Sequence, residues 1–219
     1  MTSGNVPADG GPPLSGRRAQ AARNDRRILE SARAVFLANP EAPIADVAKH
    51  AGVGISALYR RYPSKDELLR QLNRESLAEY IADVERALAD ERPPWQAFAD
   101  FMRRRVAAES HALTVRLAGT FEPSEDLYRE SNRARDLTGK LFRRVRRAGA
   151  VRPDLTADDL SFLFEQLTAV SVRDPRRTLR LRGRYLELML AGIRADPQHE
   201  GRLPGPPPSW SEIAERWET

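Results

Sequence analysis

The chain has 219 residues, enough for one or two domains with a packed core, and its 41% hydrophobic and 31% charged content is ordinary for a globular helical protein. It has no cysteine, which excludes a disulfide framework and thiolate metal sites, and His50, His111 and His199 lack ligand spacing, so neither a metal nor another cofactor is expected. The net charge of +5 is unevenly placed: Arg17 to Arg74 carries twelve Lys/Arg against six Asp/Glu, whereas Glu75 to Thr219 carries twenty-four of each, so the excess points to a polyanion at the N-terminal part.

In chain order, residues 1–16 are Gly/Pro-rich and read as a disordered tail without the basic start and apolar stretch of a signal peptide. No run of about 18 apolar residues occurs anywhere, so a cytoplasmic protein with no membrane partner is expected. Arg17, Arg18 and Arg23 follow as a basic arm suited to lie along DNA. From Arg26 to Phe36, Ile28, Ala32, Val35 and Phe36 form a helical stripe. Ile44, Val47, Ala48 and Ala51, at i, i+3, i+4 and i+7, form another, with Pro43 in the first turn, where no amide partner is needed. Gly52 supplies the left-handed backbone that stops this helix, and Val53 plugs the corner. A further helix starts at Gly54 or Ile55, turns Leu58 and Tyr62 inward and ends at Pro63. Two helices joined this closely, backed by a third, match the helix-turn-helix layout, whose second helix enters the major groove.

The remainder reads as helix throughout, with no sustained strand-like alternation. Asp66 to about Asp90 is a long helix linking the reader (17–65) to a body (66–195). Arg92-Pro93-Pro94 breaks it, Trp95 to Glu109 resumes, and a shorter helix spans His111 to Gly119. Ser124 caps a helix reaching Ala148, Thr156 to Asp159 starts another with a capping-box pattern, and Asp174-Pro175 precedes a last long helix ending near Arg194. The tail from 196 is Pro/Gly-rich until Trp210, Ile213, Ala214 and Trp217 repeat at helical spacing. The expected class is all-α, with a three-helix DNA-binding unit followed by a helical body.

The run from Gly52 to Leu69, GVGISALYRRYPSKDELL, resembles the recognition-helix signature of TetR-family transcriptional regulators, in the aromatic after Leu58, the Tyr62-Pro63-Ser64-Lys65 turn and the Asp66-Glu67-Leu68 that follows. With the upstream helices the resemblance covers residues 23 to 75. It implies a homodimer on double-stranded DNA, usually a repressor of a palindromic operator, released by a small-molecule effector held in the body. Ile55, a core candidate from its spacing to Leu58, is directed by the resemblance to the groove, while Tyr59 and Lys65 become phosphate ligands. Family members often place Thr where Ala42 and Pro43 stand, leaving backbone amides there to meet phosphate. Gly54, Ser56 and Ala57 permit close approach to bases, and Arg60 and Arg61 are the expected base or phosphate ligands.

In the body, Tyr80, Trp95, Phe98, Met102, Leu117 and Phe121 lie on the helices that surround the ligand in the resembling family, although aromatics at helical spacing also suit plain core. Leu160, Phe164, Leu167 and Val170 on one helix, and Tyr185, Leu188 and Met189 on the next, supply apolar faces for a two-fold four-helix contact. Arg143, Arg144, Arg146 and Arg147 read as a solvated face. No nucleophile elbow, phosphate loop or paired catalytic residues support an enzyme. Two rival readings are a constitutive DNA binder without ligand and a helical protein-interaction module.

Overall fold

The computed structural model describes residues 16–108, 120–196 and 201–215, and among these every regular element is helical apart from one antiparallel bridge, Val151 to Arg194. The expected N-terminal tail, Leu117 with its short helix, and Trp217 lie outside the described residues. Helix α1 (Gly16–Ala38) begins well before the stripe expected from Arg26 and takes in the basic arm. Its Gln, Ala and Arg residues favour helix, and Gln20 supports the turn by donating to Asn24 and accepting from Arg23.

Helices α2 (Ile44–Ala51) and α3 (Ile55–Arg61) pack on α1 through Phe36, Val47, Ala48 and Leu58. Ser64 then accepts from the Glu67 amide at 3.1 Å and starts α4 (Lys65–Ala89). The first turns of α4 belong to the same core, since Leu68, Leu69 and Leu72 are fully buried in it, together with Phe121 and Leu127 from later in the chain.

The body is a series of helices running alternately away from and back toward this reader. α4 leaves it, and α5 (Pro94–Ala107) returns, with Arg105 paired to Asp83 and Phe101 edge-on to Tyr80. α6 (Glu125–Arg147), capped by Ser124, leaves again alongside α4. Arg70 donates to the Glu122 carbonyl near the reader, and Arg144 donates to the carbonyls of Ala87, Leu88 and Asp90 at the far end. The expected capping-box pair forms as Thr156 with Asp159, at the start of α7 (Asp159–Ala169). Asp174 caps α8 (Pro175–Ile193), and Trp95 beside Arg194 and Arg103 on Glu187 set α8 antiparallel to α5. The second core, between these helices, holds Val84, Phe98, Phe101, Met102, Phe142 and Leu186.

The tail is held at two places. Arg152 donates to the Gly201 carbonyl and the Leu203 amide to Asp154, both at 2.7 Å. Further on, the capping box of Ser209 and Glu212 starts α9 (Trp210–Ala214), whose Trp210 ring lies 4.4 Å from the Arg135 guanidinium of α6.

Candidate nucleic-acid interface

The corner between α2 and α3 is fixed by backbone conformation. Gly52 adopts φ 63° and ψ 37°, a left-handed geometry that L side chains rarely take, and the Arg27 guanidinium donates to the Ala51 carbonyl at 2.5 Å. A Cβ on Gly52 would also stand 3.1 Å from that guanidinium. α3 then starts at Gly54, with Leu58 and Tyr62 locked into the core. Its other side is open: Ile55 is 40% and Tyr59 46% exposed, Ser56 and Arg60 are exposed, and Ala57 is half-buried. Ile55 therefore stands on the outer face, away from the core that its spacing also allowed. An exposed isoleucine and tyrosine beside an arginine form a surface that suits thymine methyls, phosphates and base edges.

Arg61 is placed differently from Arg60. Its guanidinium makes a bidentate pair with Asp25 of α1, both bonds 2.8 Å, and the Tyr62 hydroxyl donates to the same carboxylate at 2.7 Å. Asp25 thus ties the end of the recognition helix to α1. The hydrogen bond from Arg61 holds the Asp25 carboxyl below its ordinary value against the opposing effect of burial, and burial followed by the carboxylate contact pushes the Tyr62 phenol up. Among the described residues Arg60 has no such partner. Sequence spacing gave no sign of Asp25 or Arg27, because their partners lie 36, 37 and 24 residues away.

Lys65 is also engaged within the chain. Its ammonium donates to the Pro40 carbonyl at 3.0 Å and lies 5.4 Å from the Phe36 ring centre, which steadies the turn before α2. Pro43 occupies the N-cap position of α2 and offers no side-chain cap; the Asp46 amide donates to the Pro43 carbonyl at 3.0 Å, which leaves the Ile44 and Ala45 amides at this helix end, beside the exposed carboxylate of Asp46.

The body residues named from the sequence separate into several places. Tyr80, Phe98 and Met102 pack in the second core, whereas Phe121 joins the reader core. Thr138 spends its hydroxyl proton on the Ala134 carbonyl, so Tyr80 is the donor in their 2.8 Å contact. Burial keeps that phenol protonated to higher pH than usual. Trp95 lies at the far end, lining a cleft of about 420 Å³ with Arg92, Gln96, Asp100, Arg103 and Arg194. Leu160, Phe164 and Leu167 are buried within the chain itself. Val170, Tyr185, Leu188 and Met189, with Gln166 and the edge of Leu167, line an open groove of about 420 Å³ in which Leu188 is 59% exposed. Arg143, Arg146 and Arg147 are exposed at the end of α6, while Arg144 is the clamp on α4.

A tri-helical reader with an open recognition face, joined to a helical body, defines a helix-turn-helix transcription factor. Residues 28–72 match the family model described as bacterial regulatory proteins, tetR family, and residues 93–195 match the C-terminal domain of SbtR-like transcriptional regulators. The chain belongs to the TetR family of transcriptional regulators. It is 34% identical over 103 residues to the HTH-type transcriptional repressor LfrR of Mycolicibacterium smegmatis, a match covering 47% of this chain and 52% of that protein, so it spans about half the length of that relative. Among solved structures, it resembles a TetR transcriptional regulator from Streptomyces coelicolor (25% identity, TM-score 0.55, 78% of this chain and 98% of the other). It is also similar to a TetR regulatory protein from Mycobacterium vanbaalenii (27% identity, TM-score 0.53, 82% and 99%). Among the described residues, no helix is long and apolar enough to cross a membrane.

Proposed function

We propose that this regulator is a repressor that binds a palindromic operator as a homodimer, with α3 in the major groove, and leaves the DNA when a small molecule binds the body. The observation that carries the DNA-binding part is the division of α3 into a locked inner face, Leu58 and Tyr62, and an exposed outer face of Ile55, Ser56, Tyr59 and Arg60. Arg60 is the leading base or phosphate ligand, Tyr59 a phosphate ligand, and Gly54 and Ala57 allow close approach; Pro43 leaves the first two amides of α2, those of Ile44 and Ala45, for a phosphate. Arg61 and Lys65 reach DNA only by giving up Asp25 and Pro40, so their first role is to hold the reader's shape. The open groove around Leu188 supports the dimer, because an apolar face of this kind is covered when two copies pack about a two-fold axis. Repression is also what LfrR is named for.

Genome-fragment selection with the purified protein, followed by release of the recovered duplex with a metabolite panel, tests both parts. Failure to enrich any fragment would refute the operator reading. A constitutive regulator is the second reading, favoured by the packing of Tyr80, Phe98 and Met102 into a shared core. It is supported if DNA is bound and no metabolite releases it.

A further inference from the structure

From Glu75 to Thr219 the chain is balanced in total charge but not locally. Between Val170 and Arg184 stand six arginines and a single acid, Asp174. The acid is spent on the backbone, accepting from the Arg176 amide at 2.9 Å as the cap of α8. Arg182 is buried and donates to the Thr168 and Val170 carbonyls, both at 3.0 Å, which completes the end of α7. The other five, Arg173, Arg176, Arg177, Arg180 and Arg184, are exposed, and among the described residues none has a side-chain hydrogen bond or ion pair. Several exposed arginines elsewhere in the body are paired, Arg92 with Asp90 and Asp100, Arg103 with Glu187, and Arg133 with Glu85, whereas among the described residues Arg143, Arg146 and Arg147 at the end of α6 are not.

This arrangement is unfavourable in the isolated chain. Arg176, Arg177 and Arg180 occupy the first turns of α8, the positive end of the helix dipole, where cations are disfavoured. At 3.6 residues per turn, Arg176, Arg177, Arg180 and Arg184 fall within an arc of about 100°, so they also repel one another. The exposed Arg143, Arg146 and Arg147 are different, since they end α6, where the dipole favours them. The cluster is held firmly in place: the Thr178 hydroxyl accepts from the Val172 amide and donates to its carbonyl, both at 3.0 Å, while Arg182 fixes the same loop. The antiparallel register of α5 and α8, with Trp95 by Arg194 and Arg103 by Glu187, carries the first turns of α8 past the end of α5, toward the reader side of the body.

We propose that this arginine cluster is a second DNA-backbone contact, made by the body and separate from the reader. The inference rests on the dimeric operator-binding reading. If the two copies meet through the groove around Tyr185 and Leu188, their α8 helices flank the two-fold axis, and the clusters stand over the operator segment between the two half-sites. A continuous track of phosphates is the ligand that fits, because guanidinium forks pair with phosphate oxygens and relieve the repulsion that dimerisation would increase.

The test compares wild type with R176Q/R177Q/R180Q, and with R180Q alone, on the duplex recovered by genome-fragment selection. Sedimentation and thermal unfolding of each variant establish that the dimer and fold are intact. The expected result is a salt dependence shallower by about 0.9 in the log–log slope for each phosphate that the variant no longer neutralises. A second duplex carries neutral methylphosphonate linkages only between the half-sites, and it should bind wild type more weakly than the natural duplex while the triple variant treats the two alike. An unchanged slope, or equal sensitivity of both proteins to the neutral linkages, overturns the proposal while leaving the operator reading standing. A triple variant that is monomeric while R180Q stays dimeric with the wild-type slope assigns the cluster to the subunit interface and also overturns it. A wild type that binds no duplex removes both readings.

Discussion

Asn in place of Asp25 keeps the side chain's shape and removes the charge that clasps α3 to α1. Arg61 is 59% exposed, so its half of the clasp is screened and contributes about 0.2–1 kcal/mol, as exposed pairs do. The Tyr62 hydroxyl bond to a charged, partly buried acceptor contributes about 1–2 kcal/mol, some of which the Asn oxygen retains. A loss of about 1–2 kcal/mol is therefore expected, and for a chain of this size each kcal/mol lowers Tm by about 2–4 °C. The carboxyl is held below its ordinary value of 3.8, so its contribution is fully present above that pH and is lost as pH falls through the folded-state value. Thermal unfolding followed by circular dichroism should show Asp25→Asn less stable than wild type at neutral pH, with the gap closing on acidification. Equal Tm values at neutral pH, or a gap that is constant into the acid range, would refute the clasp. The same variant frees Arg61, so its affinity for random-sequence DNA should be no lower than that of wild type once the reader is folded.

Arg60→Ala should weaken operator binding by about 1–3 kcal/mol if its contact is a bidentate base pair, whereas Arg61→Ala should cost stability by only about 0.2–1 kcal/mol, less than Asp25→Asn, because Tyr62 keeps its bond to the carboxylate; titration on operator and random duplexes, with thermal unfolding of each variant, separates the two. Tyr59→Phe should weaken all duplexes alike, and a loss confined to one base position would contradict its phosphate role. Gly52→Ala should destabilise the reader by about 1–2 kcal/mol in denaturant unfolding, from the left-handed backbone and the crowding of Arg27. Leu188→Asp should give a folded monomer by sedimentation, whereas Phe164→Asp, at 4% exposure, should unfold the body; a folded Phe164→Asp monomer would return Phe164 to the interface.

Much of the fold was legible because its signals are local. The stripe of Ile44, Val47, Ala48 and Ala51, the stop at Gly52, the cap at Ser124 and the Asp174-Pro175 break each act within a turn or two, and the helices begin and end near them. Exposure along α3 was harder to read, since Ile55 satisfies both an inward and an outward pattern. The roles of Arg61 and Lys65 were not legible at all: each is set by a partner on another helix or loop, Asp25 or Pro40, that no spacing rule relates to it. The same holds for Phe121, a large aromatic distant in sequence from the reader whose core it completes. The N-terminal excess stands out in the charge count but the cluster around α8 does not, because acids elsewhere between Glu75 and Thr219 cancel it in the total.

Arg70 on the Glu122 carbonyl, Tyr80 on Thr138 and Arg144 on the last carbonyls of α4 fasten α4 and α6 at the bottom, middle and top. Two rods bolted at three heights resist bending separately, so the pair behaves as one stiff strut rooted in the reader core by Leu69, Leu72 and Leu127. α4 alone has 25 residues, which gives the strut a length of about 37 Å. A rotation of about 5° at its upper end then carries its foot through about 3 Å, close to the rise of one base pair along the duplex. In the proposed dimer, small rearrangements high in the body would thereby be converted into a change of register between two recognition helices, without any helix having to melt or kink.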